Sequence, residues 1–278
     1  MVVEGNERHK IAKPAEENEG LIADASITKP RTETVSNRVV ISQPMYFPWV
    51  GILEQVRLSN VFVHYEDVQF SRGSFSNRVQ VKTEVGMRWL TVPLKNRMLG
   101  QLINEVEIDY RTDWQRSHRD ILKQAYAKSD HKAEMFDLLD EVFSQRYDSL
   151  ADLAKASMMG LIRFFGLEDG RTFIDSPDFG IAGASTQRVI DICVRLKAAS
   201  YITGHGARNY LEHEAFETVG VDVDYIGYGL SPYKQSHGPF TPYVTALDLV
   251  ANCGKHGVHH IAGKQIPWRE FIAIQKEN

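Results

Sequence analysis

Val39 to Ile41 is a β-branched run that stops at Gln43-Pro44. Proline has no N–H for a sheet ladder, so a strand read into this run must end there. Tyr46, Phe47, Pro48, Trp49 and Gly51 follow, then an apolar-periodic helix over Ile52 to Leu58 and a second strand over Val61 to Val63. A strand, a loop, a helix and a strand in so short a span predict a parallel β-loop-α unit. The loop holds more proline, aromatic and glycine residues than a plain connection requires. In α/β proteins ligands gather at the C-terminal ends of strands and in the loops there. Gln43, Tyr46 and Trp49 are therefore read as substrate-binding residues.

The rest of the chain extends this unit. Arg78 to Thr83 and Arg88 to Leu94 read as paired strands with Gly86 in the turn, and Leu102 to Ile108 alternates as a further strand. Residues 112–166 read as three helices: one capped by Thr112 or Asp113, one capped by Asp130, and one over Tyr147 to Phe165 that ends at Gly166. The α/β pattern then returns. Strands are predicted over Thr172 to Ile174, Ser200 to Thr203 and Val221 to Ile226. Helices are predicted from Ser185, over Tyr210 to Val219, and over Tyr243 to Asn252. The expected architecture is α/β: a parallel-sheet core built from β-loop-α units, with a β-rich excursion and a helical subdomain at about 112–166. Residues 1–36 are polar, lack a sustained apolar period and are read as a disordered tail, so the α/β domain is placed at 37–278.

Composition excludes several classes. A 278-residue chain with 43% hydrophobic residues has material for a sizeable core. The net charge of -4 gives no global attraction to nucleic acid, and no nucleic-acid partner is expected. No apolar run of about 18 residues is present, so no membrane insertion is expected. The polar N-terminus lacks the apolar core of a secretory signal. Cys193 and Cys253 are far apart and lack CxxC spacing, which fits a reducing cytoplasm and argues against a structural zinc site. The His256-Gly257-Val258-His259-His260 cluster has no matching acid or thiolate spacing, so no metal is assigned.

Several residues have chemistry suited to a site. Gly204-His205-Gly206 joins a predicted strand to a helix. Its free N–H groups suit an anion, with Arg208 adding a charge, or the segment is simply a tight turn. Asp67 follows the second strand, where a carboxylate serves as a base, a sugar-hydroxyl ligand, a cation ligand or a solvated loop acid. Arg78, Gln80 and Lys82 share one face of a regular strand. With Arg72, Phe70 and Phe75 they suit a diphosphate and a stacked base, or they form a plain polar face. His205 and His237 lie beside glycine in loops, where an imidazole can take a proton from an amine. Tyr233 and Gln235 suit a sugar, the ring packing on one face and the amide binding hydroxyls. Asp248, inside an apolar helix, reads as a buried partner for a loop donor or as a catalytic carboxylate.

The order and spacing of these segments resemble the WbqC-like family from about Arg38 to Gly254. The matching words are Ser42 to Gly51, Glu66 to Arg72 (which contains Gln69), Asn77-Arg78, Lys82-Thr83 and Trp89 to Pro93. Further on they are Tyr201 to Gly204, Asn209-Tyr210-Leu211, Pro232 to Gln235, Gly238-Pro239-Phe240, Asp248 and Asn252-Cys253-Gly254. The family usually carries histidine before Gln-Pro, where this chain has Ser42. The resemblance adds weight to Asp67, Gln69, Arg78 and Asn209 as site residues. It implies a cytoplasmic role in bacterial surface-polysaccharide (lipopolysaccharide O-antigen) biosynthesis, with glycine transferred to an amino sugar. The expected function is an N-acyl, aminoacyl transferase acting on a nucleotide-linked amino sugar. The alternative is a non-catalytic nucleotide-sugar or glycan binding protein, or a pathway scaffold. The acyl donor, any cofactor and the oligomeric state are left open.

Overall fold

The computed structural model describes residues 37–277. The segment read as a disordered tail lies outside the described residues. Strand β1 (Asn37–Ser42) leads through the aromatic loop into helix α1 (Val50–Leu58) and strand β2 (Val61–His64). A hairpin of β3 (Arg78–Thr83) and β4 (Gly86–Thr91) follows, then helices α2 (Trp114–Ala125), α3 (Lys132–Phe143) and α4 (Leu150–Phe164). The chain returns through β5 (Thr172–Asp175), α5 (Ser185–Arg195), β6 (Ala198–Thr203), α6 (His213–Thr218) and β7 (Asp222–Gly227). It closes with α7 (Leu247–Cys253), β8 (Lys264–Pro267) and α8 (Trp268–Glu277).

Six strands form one sheet in the order β5-β2-β1-β6-β7-β8, parallel throughout except for β8, which pairs antiparallel with β7. This is the expected α/β architecture, with the hairpin as a separate antiparallel sheet. Both faces of the sheet are covered, so the strands alternate between two cores instead of between core and water. Val40, Phe62 and Ile202 pack against α1, α4, α7 and the hairpin. Val39, Ile41, Val61, Val63, Tyr201 and Tyr225 pack on the other side against α5, α6 and α8. There Tyr201 stacks on Phe216 and Tyr225 on Phe271, with ring centroids 5.5 and 4.1 Å apart. Each such fully buried side chain contributes roughly 1.5–3 kcal/mol of hydrophobic stabilisation.

Local chemistry explains where the sequence reading and the structure part. The run Leu102 to Ile108 is a turn, Ile103–Glu105, between isolated bridges, because Glu105 folds back to accept from the Leu102 N–H at 3.0 Å. The helix predicted from Tyr243 starts at Leu247, since the preceding N–H groups of Thr245 and Ala246 donate to Gln80 and Pro48. The helix predicted over Tyr210 to Val219 is confined to His213–Thr218, because Tyr210 and Leu211 still donate to Ala207 in the preceding turn. Asp113 caps α2 by accepting from the Arg116 N–H, whereas the N-cap of α3 is His131, not Asp130. Strand β8 and helix α8 lie beyond the last element predicted. Among the described residues no helix is long and apolar enough to cross a membrane.

Polar clamps hold the far side of the sheet. Asp67, just beyond β2, accepts from the Arg188 guanidinium on α5 and from the Ser176 hydroxyl at 2.5 Å. Its neighbour Glu66 pairs with Lys155 of α4 at 2.7 Å, and Lys155 also reaches Asp175 at 2.8 Å. The Arg188 side chain is only 5% exposed, so removing Asp67 leaves a buried guanidinium without its counter-charge. Breaking one partner of a buried pair costs about 3 kcal/mol or more. Asp67→Ala should therefore lose about that much stability in urea unfolding, and a loss below about 1 kcal/mol would show the clamp to be dispensable.

Two buried histidines set a second expectation. Burial holds His64 and His118 down from 6.5 to about 4. Both are neutral in the fold, while the unfolded chain takes up protons below about pH 6.5. Their contribution is full above that pH and is lost as pH falls toward about 4, on the order of 3 kcal/mol for each histidine. Stability measured across this window should fall less steeply for His118→Gln than for the parent; equal slopes would remove His118 as the titrating group.

Candidate functional site

The strand order changes direction between β1 and β6: the chain runs outward from β1 through β2 to β5, then resumes on the opposite side at β6. Connections on the two sides diverge at such a point and leave a crevice at the carboxyl ends of the strands. Its lips are Gln43 and Gly204. The Gln43 side chain is half-buried, and its amide has no partner among the described residues.

The loop after β1 is fixed from below. Tyr46 is 1% exposed, and its hydroxyl meets Nδ1 of His118 at 3.0 Å. Phe47 adopts a positive φ of 38°, held by its N–H to Ser157 Oγ at 2.9 Å and its carbonyl to the Thr245 hydroxyl at 2.8 Å. The indole of Trp49 then lies flat over the start of α1. A Cβ on Gly51 would come within 2.3 Å of that ring, so only glycine fits. Trp49 packs against Tyr228 at 4.7 Å and Tyr243 at 6.2 Å, between ring centroids. This aromatic wall separates a smaller cavity of about 190 Å³ from a larger, more open cleft of about 720 Å³; Trp49 and Tyr243 line both.

The larger cleft contains His205. Its Nε2 lies 2.7 Å from the Ile226 carbonyl, and its ring rests between Tyr228 and Phe271. A carbonyl only accepts, so Nε2 carries the proton and Nδ1 keeps the lone pair. Gly204 allows a close approach: a Cβ there would sit 3.2 Å from the Tyr228 hydroxyl, which accepts from Gln55 at 3.3 Å. Burial pushes the Tyr228 phenol up to about 12, so it stays protonated. Residues His205–Asn209 form a single short turn, and neither Gly204 nor Gly206 needs a positive φ. A Cβ on Gly206 would meet no atom within 4 Å. Arg208 and Asn209 are exposed, with Arg208 donating to Gln275 on the rim at 3.1 Å.

Glu54, one helical turn beyond Trp49, was not singled out by the sequence reading. It is 1% exposed, and its carboxylate accepts from the N–H groups of Gly229 at 3.1 Å and Ala262 at 3.2 Å. Burial raises its pKa, and the N–H groups of Ala262 and Gly229 pull it back. A Cβ on Gly229 would lie 2.9 Å from Oε1, so glycine is required for the loop to wrap the acid. The signal was present in the sequence: Glu54-Gln55 interrupts an otherwise apolar helix face.

The hairpin supplies the opposite wall of the smaller cavity. Val79 and Val81 are buried in the core and Arg78 and Gln80 are half-buried, as strand alternation requires; Arg78, Gln80 and the adjoining Val79 line the cavity. Arg78 donates from Nε and Nη2 to the Gly73 carbonyl at 3.1 and 2.7 Å and stacks 4.3 Å over Trp89. Lys82, on the same strand face, is buried and donates to Gln235 Oε1 at 3.3 Å, to the Gly238 carbonyl at 3.1 Å and to the Pro239 carbonyl.

The remaining candidates have other occupations. His237 bonds to the Ala125 carbonyl at 2.8 Å. Tyr233 donates to buried Asp248 at 2.9 Å, and the Gln235 amide holds both the N–H and the carbonyl of Thr241 at 2.9 Å. With Lys82 these residues latch the loop 233–241. Asp67 is engaged by Arg188 and lines neither cavity. Gln69 and Arg72 border a separate open groove with Lys95 and Arg97. Of the candidate residues, Tyr46, Trp49 and Arg78 line the smaller cavity and Trp49 and His205 the larger, while Gln43 and Gly204 sit at the ends of β1 and β6. The crevice does not include Asp67, His237 or Lys82, whose partners come from segments distant in sequence.

The uncharacterized protein Rv1507c of Mycobacterium tuberculosis is 30% identical over 220 residues, which is 78% of this chain and 94% of that protein. No solved structure matches the chain. The model of the WbqC-like protein family matches residues 43–260, a span that takes in the smaller cavity and His205 but not the part of the larger cleft formed by residues 262–275. The chain belongs to the WbqC-like protein family.

Proposed function

We propose that this protein is an N-acyltransferase that moves an aminoacyl group, such as glycyl, to the amine of a nucleotide-linked amino sugar. The observation that carries this reading is His205. Its Nε2–H is tied to the Ile226 carbonyl, which leaves Nδ1 as a proton acceptor in a cleft of about 720 Å³. An amine attacking an acyl carbonyl must lose a proton as the new C–N bond forms. Nδ1 takes that proton and returns it to the leaving group as the bond from the acyl carbon to the donor breaks. Trp49 and Tyr243 offer ring faces for a sugar, and the protonated Tyr228 hydroxyl offers a donor for charge developing on the carbonyl oxygen. In this reading the protein works in the cytoplasm on precursors of a surface polysaccharide.

A second reading, a nucleotide-sugar binding protein without catalysis, is favoured by a separate observation. Among the described residues, no carboxylate or thiol lines the cleft beside His205. The two readings separate in one experiment. The protein is incubated with nucleotide-linked amino sugars and, in turn, glycine with ATP, a glycyl thioester or glycyl-tRNA, and the sugar is examined by mass spectrometry. The transferase gives the mass gain of one glycyl group. His205→Gln, which keeps an amide donor in place of Nε2–H but lacks the base, should lower turnover by about 100-fold or more while the ligand-induced shift in Tm persists. A Tm shift with no mass gain under any donor would replace the transferase with the binding protein.

A further inference from the structure

We infer that the smaller cavity is a nucleobase subsite that selects a keto pyrimidine of the uracil type. The inference rests on the reading above for the presence of a nucleotide. The cavity, about 190 Å³, lies between the loop after β1, the face of β3 and the segment Tyr243-Val244. Met45, Pro48, Trp49, Phe75 and Val79 make its walls apolar. The Tyr46 hydroxyl is already committed to His118. Arg78 and Gln80 form its polar edge.

This distribution discriminates between ligand classes. A hexose carries hydroxyls around its ring, and each one buried without a partner costs free energy; two polar side chains on one edge cannot satisfy them. A diphosphate needs several converging donors, and two of the N–H groups of Arg78 are already spent on Gly73. A planar heterocycle has two apolar faces and one polar edge, which is the complement of this cavity.

The polar edge also reads the base. Arg78 is held by the Gly73 carbonyl and the Trp89 ring, so its remaining N–H groups are pre-organised and can meet only an acceptor. The Gln80 amide has no partner among the described residues and offers one acceptor and one donor side. Its backbone is fixed because the Gln80 carbonyl accepts from the Thr245 N–H at 2.9 Å. The edge of uracil runs carbonyl, N–H, carbonyl: Gln80 takes the N–H and the O2 carbonyl, and Arg78, which only donates, takes O4. Cytosine places an amino group where one of these acceptors is needed, and adenine has no carbonyl.

The test uses the full chain and calorimetric titration with UMP, CMP, AMP and GMP. UMP should bind, with the other three at least about tenfold weaker, and Gln80→Ala should weaken UMP by about tenfold at unchanged Tm. Saturation-transfer NMR on the parent protein should show the uracil H5 and H6 protons in closer contact than the ribose protons, a readout that needs no variant. Equal binding of CMP, AMP or GMP, no binding of any nucleotide, or an unaffected Gln80→Ala would each overturn the subsite. UMP binding without acyl transfer would keep the subsite and remove the transferase. Acyl transfer with the same KM for an amino sugar with and without its nucleotide would do the reverse.

Discussion

Beyond β5 the chain must cross β2 and β1 to lay β6 on the other side of β1. Strands that leave β1 in opposite directions draw their helices apart, and the carboxyl edge between β1 and β6 stays uncovered. The residues that must fill that gap are loops: 43–49 after β1, 227–230 after β7, and 239–245 before α7. Each turns an aromatic ring or a proline into the gap, and the Trp49–Tyr228–Tyr243 cluster is where they meet. The crevice is thus a consequence of strand order, while its shape is a consequence of which rings the loops deliver.

Loops at an open edge have few apolar contacts to hold them, and here buried polar groups take over. Glu54 gathers the N–H groups of two separate loops, at Gly229 and Ala262, onto one carboxylate. Asp248, 1% exposed, ties one loop to α7: its Oδ2 accepts from Tyr233 and from Asn252, one turn along the same helix. Burial raises the pKa of Asp248, and the Tyr233 hydroxyl is the first of the donors that oppose the rise. Lys82 completes the set from the hairpin side by collecting two backbone carbonyls and a side-chain amide. A buried charge without such partners would be strongly unfavourable, so each of these groups fixes a loop position more tightly than an apolar contact would.

The same chemistry explains how far the sequence could be read. The β-branched runs at Val39 and Val61 and the Pro44 stop gave the first β-loop-α unit, because strand sterics and the missing N–H act locally. The alternation of Arg78, Gln80 and Lys82 with Val79 and Val81 gave one hairpin face correctly, since a period of two is geometric. What followed from neighbours distant in sequence was not legible. Asp67 has Arg188 as its partner, His237 has Ala125, and Lys82 has the 235–239 loop. An acid or an imidazole in a loop, or an ammonium on a strand face, is equally suited to a site or to a latch, and only the partner decides which. Glu54 was missed for the same reason: its role is set by two loops more than 170 residues away.

Division of the crevice by Trp49 bears on the kind of molecule it can accept. The two chambers differ in character: one is small and apolar with a fixed guanidinium, the other large with an imidazole. Arg72, one residue before the Gly73 whose carbonyl holds Arg78, opens onto a groove that also bears Lys95 and Arg97, and no acid among the described residues lines it. In a chain of net charge -4, that concentration of positive charge beside the hairpin is a local feature. Lys95 is partly neutralised by Glu107 at 3.2 Å, and Arg97 leans on the Phe70 ring, so Arg72 is the member of the three without such a partner among the described residues. Charge thus gathers in the groove beside the hairpin, apolar surface in the smaller cavity and the His205 imidazole in the larger cleft. The aromatic wall on Gly51 keeps the two chambers distinct.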